Sequence, residues 1–270
     1  VLFNQANFSS FKPASFISGT SSYVIGIKQG NPAQQFPTLV NILSYDGNLF
    51  NVTSVVIGYY VTTPPVLRKT NTESYQLLVG TNDGKILTFN FTELLNGNVI
   101  PGETTVEAGV VLTQLALVDL KVFAIGTRND SNTKYDLVYS DGQVLKFNDE
   151  KLFKLSLAKD SKGNDLVIVT SDKNNSYQAY IIQSNQVSNR FTLPSLESAK
   201  SYSLSDIKND GNIYFLTSFN DKLYSYSLNG SLAENFPFTA PESESFTGLP
   251  LAADIEGDSR SEVIFYSNTG

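Results

Sequence analysis

One unit recurs along this chain: a short run of β-branched and aromatic residues, a tight polar turn, and a second run in which apolar and polar side chains alternate. The clearest copy covers residues 78–90 and turns at Asp83-Gly84. Residues 137–148 repeat it around Asp141-Gly142, and residues 214–226 repeat it around Asn220-Asp221 without the glycine. Weaker copies run through 167–182, around Asp172-Lys173-Asn174-Asn175, and through 42–52, around Asp46-Gly47. Turns of this composition match the twist of paired strands, and alternation at period two turns one face inward. The chain therefore reads as all-β, with residues 91–96 the only stretch suggesting a helical turn.

The spacing narrows the architecture. Ser-Asp-Ile-Lys-Asn-Asp at 205–210 and Ala-Asp-Ile-Glu-Gly-Asp at 253–258 lie 48 residues apart, and each precedes a strand. A period in the forties built from four antiparallel strands is the signature of propeller blades. At roughly 45 residues per blade the chain holds about six, or about seven if it belongs to a longer one. Residues 1–270 read as a single domain with blade seams near 63, 108, 158, 200 and 248, where Pro, Gly or charged polar stretches interrupt the strands. Unrelated hairpins in a sandwich are the competing architecture. Residues 263–270 look like an inner strand and the start of a turn, and Val1-Leu2-Phe3-Asn4 looks like the strand that should follow. Either residues 1–4 complete the C-terminal blade and remove its open edges, or both ends were cut from a longer chain at equivalent points.

Composition removes whole classes of function. Nineteen Lys and Arg against 26 Asp and Glu give a formal charge of −7, which opposes nucleic acid and anionic membrane surfaces as partners. No apolar run approaches the length of a membrane span, so no membrane insertion is expected. The chain has no His, Cys, Met or Trp, which excludes imidazole or thiolate zinc centres, Ser-His-Asp and Cys-His nucleophiles, covalent c-type haem and disulfides. Charged residues make up only 17%, and a neutral coat of Ser, Thr, Asn and Gln suits a secreted or cell-surface protein, a bacterial envelope or extracellular one in particular. Sequons at Asn7, Asn51, Asn90, Asn129, Asn174 and Asn229 arise readily in such a composition and carry little weight.

Residues 251–264, Leu-Ala-Ala-Asp-Ile-Glu-Gly-Asp-Ser-Arg-Ser-Glu-Val-Ile, resemble the FG-GAP/VCBS-type repeat of integrin-alpha-like propellers: an apolar lead, Asp-x-Asp-Gly-Asp-Gly, an acidic residue and an apolar strand. Residues 205–217 are a worn copy, and 228–238, from Leu-Asn-Gly-Ser to Asn-Phe-Pro-Phe, are similar to the stretch between that family's blades. The likeness is good over 200–270, fair around 75–92 and 135–149, and poor before 70. It implies a secreted or surface β-propeller used for adhesion, ligand binding or scaffolding. Pyrroloquinoline quinone propellers share the hairpin rhythm but depend on a Trp absent here, so that cofactor is not expected.

The candidate ion site is Asp254, Glu256, Asp258 and Glu262, with the Arg260 carbonyl as a further oxygen. Acidic side chains at alternating positions of a tight loop converge on one point, as a hard cation such as Ca²⁺ requires. Glu256 is one methylene longer than the family's Asp, and Ser259 replaces a turn glycine. The competing reading is an acidic turn whose carboxylates cap backbone amides. Asp206 and Asp210 form a weaker second loop, with Lys208 where a ligand belongs and Tyr214 where the closing acid belongs. Asp160, Asn164 and Asp165 make a looser cluster, and Asp130-Ser131-Asn132 reads as a plain turn.

Catalysis would have to use carboxylates or tyrosines. Asp83, Asp141 and Asp221 fall in hairpin turns, and Glu107, Asp119 and Asp136, beside apolar runs, have no recognisable partner. No catalytic residue is assigned. Phe89, Phe91, Tyr224 and Tyr226 read as packing between blades, and one of Tyr59 and Tyr60 is expected to be exposed. The reading is a non-catalytic binding, adhesion or scaffold module with a structural calcium loop and a protein or glycan ligand. Residues 96–106 and 236–247 are the candidate contact stretches. A carbohydrate-active propeller that binds or cleaves a polysaccharide, and a structural subunit of a larger surface assembly, are the alternatives.

Overall fold

The computed structural model describes residues 8–31, 33, 37–71, 74–130, 133–241, 244–258 and 261–268. Two compact units divide the chain, Val1–Lys146 and Phe147–Gly270. The expected completion of the last blade by residues 1–4 lies outside the described residues.

The first unit carries three antiparallel four-stranded meanders. They are β1 (Ala14–Ser18), β2 (Ser21–Lys28), β3 (Thr38–Tyr45) and β4 (Phe50–Ile57); β5 (Val66–Lys69), β6 (Tyr75–Gly80), β7 (Lys85–Asn90) and β8 (Gly102–Thr105); and β9 (Val111–Val118), β10 (Lys121–Asn129), β11 (Lys134–Ser140) and β12 (Gln143–Asn148), whose end runs into the second unit. The second unit repeats the plan with β13 (Lys151–Lys159), β14 (Asp165–Lys173), β15 (Ser176–Gln183) and β16 (Gln186–Thr192), then β17 (Tyr202–Ser205), β18 (Tyr214–Phe219), β19 (Lys222–Ser227) and β20 (Phe238–Thr239). A sixth sheet pairs β21 (Phe246–Ala253) with β22 (Glu262–Ser267), two strands among the described residues instead of four.

Turn chemistry sets this pattern. Asn174 and Asn175, and likewise Ser184 and Asn185, both take positive φ between paired strands, the conformation that lets a two-residue loop follow the right-handed strand twist. Asn220 takes φ 54° where the third repeat lacks its glycine. Residues 63, 108 and 200 lie in connections between sheets, whereas 158 and 248 lie inside β13 and β21. The breaks there fall at 149–150 and 240–245. The polar run after Lys159 is the first hairpin turn within a sheet, not a seam, which is why composition misplaced it.

Within each unit, the buried faces of neighbouring sheets pack together. In the first unit, Ile25, Ile27, Val40 and Ile42 meet Leu77, Val79, Leu87 and Phe89 in one core, and Leu78 and Ile86 meet Leu112, Ala124 and Leu137 in another. Threonines stitch sheets together: Thr62 Oγ1 donates to the Leu112 carbonyl at 2.5 Å, and Thr63 Oγ1 accepts from the Gly80 amide at 2.8 Å. A Cβ on Gly80 would sit 2.7 Å from Thr63 Cγ2, so the two chains pass closer than any side chain allows. In the second unit Phe191, Tyr202 and Phe215 anchor the core between the fourth and fifth sheets.

Among the described residues, two short helices lie between strands. α1 (Phe91–Leu95) starts at Asn90, whose side chain accepts from the Glu93 amide, and it buries Phe91 and Leu94. α2 (Leu196–Lys200) was not expected. Its signal is the cap Ser195, which accepts from the Ser198 amide at 3.1 Å just after a proline. No helix of the described residues is long and apolar enough to cross a membrane.

Candidate functional site

The acidic loop between β21 and β22 is the sequence's main candidate. Asp254 Oδ1 accepts from the Gly257 amide at 2.6 Å and the Asp258 amide at 3.2 Å, while Glu262 Oε2 accepts from the Ile255 amide at 2.7 Å. Two of the expected ligands therefore hold the turn's own backbone. Glu256 and Asp258 are exposed, and Arg260 lies outside the described residues. Among the described residues, no three acidic side chains converge as a metal site would require.

The loop after β17 is built the same way. Asp206 accepts from the Asp210 amide at 3.1 Å and the Gly211 amide at 2.7 Å, and Asp210 Oδ1 accepts from the Asn212 amide at 2.9 Å. That amide and the Asn212 side chain hold the Asp210 carboxyl below the ordinary aspartate range. The loop after β13 completes a series: Asp160 Oδ1 accepts from the Lys162 and Asn164 amides, and its Oδ2 from Asn164 Nδ2, each at 2.8–2.9 Å. Asp160, Asp206 and Asp254 thus open the first hairpin turn of three successive sheets and cap it identically in kind. The sequence echo of 48 residues reflects this shared Asx cap.

Glu107, Asp119 and Asp136 are not brought into one acid pair. Asp119 sits at the tip of the β9–β10 hairpin with φ 52°, and Asp136 is buried in β11. Glu107, in the connection before β9, accepts from the Tyr135 hydroxyl and from Lys146 Nζ at 2.9 Å, with Arg128 3.8 Å away. Burial pushes its carboxyl up, but Tyr135 and the two cations outweigh that and hold it below the usual range. In the second sheet Glu103 accepts from the Tyr59 hydroxyl at 2.5 Å and pairs with Lys85 at 2.9 Å, and these contacts hold its carboxyl below the ordinary glutamate range.

Aromatic residues behave as the repeat pattern suggests, with one exception. Phe89 and Phe91 are buried in the first core, and Tyr226 lies against Phe191, their ring centroids 5.3 Å apart. Tyr59 and Tyr60 are both half-buried. The strand ends at Ile57, so the opposite-face rule for neighbouring strand residues does not reach them. The stretch 96–106 carries Ile100, 80% exposed, and the stretch 236–247 carries Phe238, 46% exposed.

No family model and no curated protein matches the sequence. Solved structures do. The chain is similar to BBS1N from a mercury-soaked crystal of its complex with ARL6DN, with TM-score 0.51 and 12% identity over 97% of this chain and 91% of that one. The same complex soaked with lead gives TM-score 0.52 and 14% identity over 93% and 83%. A GH43 β-1,3-galactosidase aligns at TM-score 0.36 and 7% identity over 94% and 55%, too distant to bear on the fold. The fold is β-propeller-like. The four-stranded antiparallel sheets are consistent with propeller blades.

Proposed function

We propose that this chain is a non-catalytic binding module of the FG-GAP/VCBS type, secreted or displayed at a cell surface, that holds a protein partner on its inter-strand connections. The observation that carries the reading is the direction of the carboxylate shifts. Asp46, Glu103, Glu107, Asp160 and Asp210 are all held below their ordinary ranges by backbone amides, tyrosine or asparagine side chains and cations of this same chain. Glycoside cleavage needs one acid raised so that it can protonate a leaving group. These carboxylates are instead kept ionised and committed to bracing turns and strands.

The connections supply the contact surface, since function in a repeated scaffold sits in its variable loops. Ile100 stands out on a loop fixed at its N-terminal side: the Asn98 amide donates to the Glu93 carbonyl at 2.9 Å, and the Ile100 amide to Asn98 Oδ1 at 3.3 Å. A fixed, exposed aliphatic side chain is a low-entropy anchor for a protein surface. The BBS1N chain, also seen in a protein complex, supports the same use of the fold. Calcium in the loop of Asp254, Glu256, Asp258 and Glu262, with the Arg260 carbonyl, belongs to the proposal as a stabilising ion.

The test places a photo-crosslinking amino acid at Ile100, at Phe238 and, as a control, at Asn51. Crosslinks to a discrete protein from Ile100 or Phe238 but not Asn51 support the reading. Release of reducing ends from any polysaccharide in a broad panel, or crosslinking no stronger at the two connections than at the control, overturns it.

A further inference from the structure

A groove in the second unit lies apart from those connections. It opens between the fourth and fifth sheets, with a volume of about 660 Å³, within the range of small-molecule sites. Leu166, Ile181 and Tyr214, all buried, form part of its floor. The rest of its wall is polar: Gln183, Asn189, Asn212 and Asn229 line it, with Ser161, Ser188 and Ser227.

Each amide is held by the protein at one end, that of Asn212 by the Asp210 carboxylate. Asn189 Nδ2 donates to the Leu228 carbonyl at 2.7 Å, and Gln183 Nε2 to Asp160 Oδ2 at 3.4 Å, which presents a carbonyl oxygen from each. Asn229 is fixed the other way. Its Oδ1 accepts from Ser227 Oγ at 2.6 Å and from the Ser231 amide at 2.9 Å, which presents its NH₂. The wall thus offers donors and acceptors in fixed orientations over an apolar floor, and orienting them costs little on binding.

Charge decides the ligand class. Among the described residues no lysine or arginine lines the groove, and the acid in its lining, Asp160, is kept ionised by Asn164. An anion entering it would meet that carboxylate and no cation in the lining. We infer that this groove binds a neutral, hydroxyl-rich ligand, a short uncharged oligosaccharide. Every hydroxyl of such a ligand both donates and accepts, as the mixed amide wall requires, and the C–H face of a sugar ring suits the apolar floor.

The experiment uses the full chain and a panel of neutral trisaccharides of the glucose, galactose, mannose and N-acetylglucosamine series, with sialylated and sulfated counterparts as charged controls. Backbone NMR shifts are followed up to about 10 mM sugar, a generous ceiling for weak recognition. A neutral trisaccharide should shift the amides of residues 188–189, 212–214 and 227–229, and the charged counterparts should bind less well. Asn189→Ala and Asn212→Ala should each weaken that binding about tenfold, since each removes an oriented hydrogen bond. Where a variant does not fold, shift mapping on the unaltered chain stands by itself. No response to any neutral sugar, shifts centred elsewhere, or equal binding of charged sugars overturns the inference. None of these outcomes bears on the crosslinking at Ile100 and Phe238.

Discussion

Gly84 lies directly beneath the carbonyl of Glu107: a Cβ added to Gly84 would stand 1.9 Å from that oxygen, and the Val106 amide donates back to the Gly84 carbonyl at 2.8 Å. The Asp83-Gly84 turn is therefore fixed twice, by φ +80° and by a backbone passing over it. Gly84→Ala should destabilise the protein by about 2–4 kcal/mol, from left-handed strain plus displacement of the connection before β9. Urea unfolding reads this, and a change within about 0.5 kcal/mol would show that the contact yields easily.

The same connection carries the acid sensitivity. Glu107 is held below the ordinary glutamate value of 4.5 in the folded chain, so the unfolded chain takes up its proton first as pH falls. Its contribution is complete above 4.5 and is lost as pH drops through the folded value. Glu107→Gln should cost about 1–2 kcal/mol at neutral pH, because Tyr135 and Lys146 lose a charged acceptor that is only partly solvated. It should also flatten the stability profile below pH 4.5. Denaturant midpoints at a series of pH values compare the two proteins. Parallel profiles would mean that the cluster is not what acid attacks.

Strand and turn content was legible because it is local: Asp83-Gly84, Asp141-Gly142 and Asn174-Asn175 dictate hairpins whatever surrounds them. The shared role of Asp160, Asp206 and Asp254 was legible only as an echo, since an Asx cap and a calcium ligand use the same residue at the same place, and the difference lies in where each oxygen points. The amide groove was invisible. Gln183, Asn189, Asn212 and Asn229 are scattered over two strands and two loops, and a neutral polar residue leaves no periodic mark. Helix α2 hid because five residues are too few to show a helical period, although Ser195 was a fair cap signal.

Calcium can be tested against the capping geometry. If an ion joins the loop of Asp254, Glu256, Asp258 and Glu262, adding calcium should raise the melting midpoint through mass action, and the double variant Glu256→Gln, Asp258→Asn should abolish that response. Those two residues are chosen because Asp254 and Glu262 also hold backbone amides, and their loss would loosen the turn with or without an ion. A midpoint unchanged between millimolar calcium and chelator removes the ion and leaves the loop as a hydrogen-bonded turn.

Tyr202 offers a prediction of opposite sign. Its ring is buried, stacked on Phe215 at 4.2 Å, with Lys154 Nζ 4.2 Å from its centroid, yet among the described residues its hydroxyl has no hydrogen-bond partner. Ser156 and Thr170 stand close, but Thr170 Oγ1 donates to the Ala199 carbonyl at 2.6 Å. Tyr202→Phe keeps the stacking and removes a stranded polar atom, so it should be neutral or stabilising by up to about 1 kcal/mol, whereas Tyr202→Ala should cost about 3–5 kcal/mol. Burial also pushes the phenol's pKa well above its ordinary 10. The unfolded chain therefore releases this proton first, and stability that is complete below pH 10 declines above it at about 1.4 kcal/mol per pH unit. Lys154, whose ammonium is disfavoured by burial, acts in the other sense as pH rises, but it is common to both proteins. The difference between wild type and Tyr202→Phe isolates the tyrosine: the variant should gain on the wild type steadily above pH 10, and a constant gap would mean that the phenol ionises as readily in the folded chain as in the unfolded one.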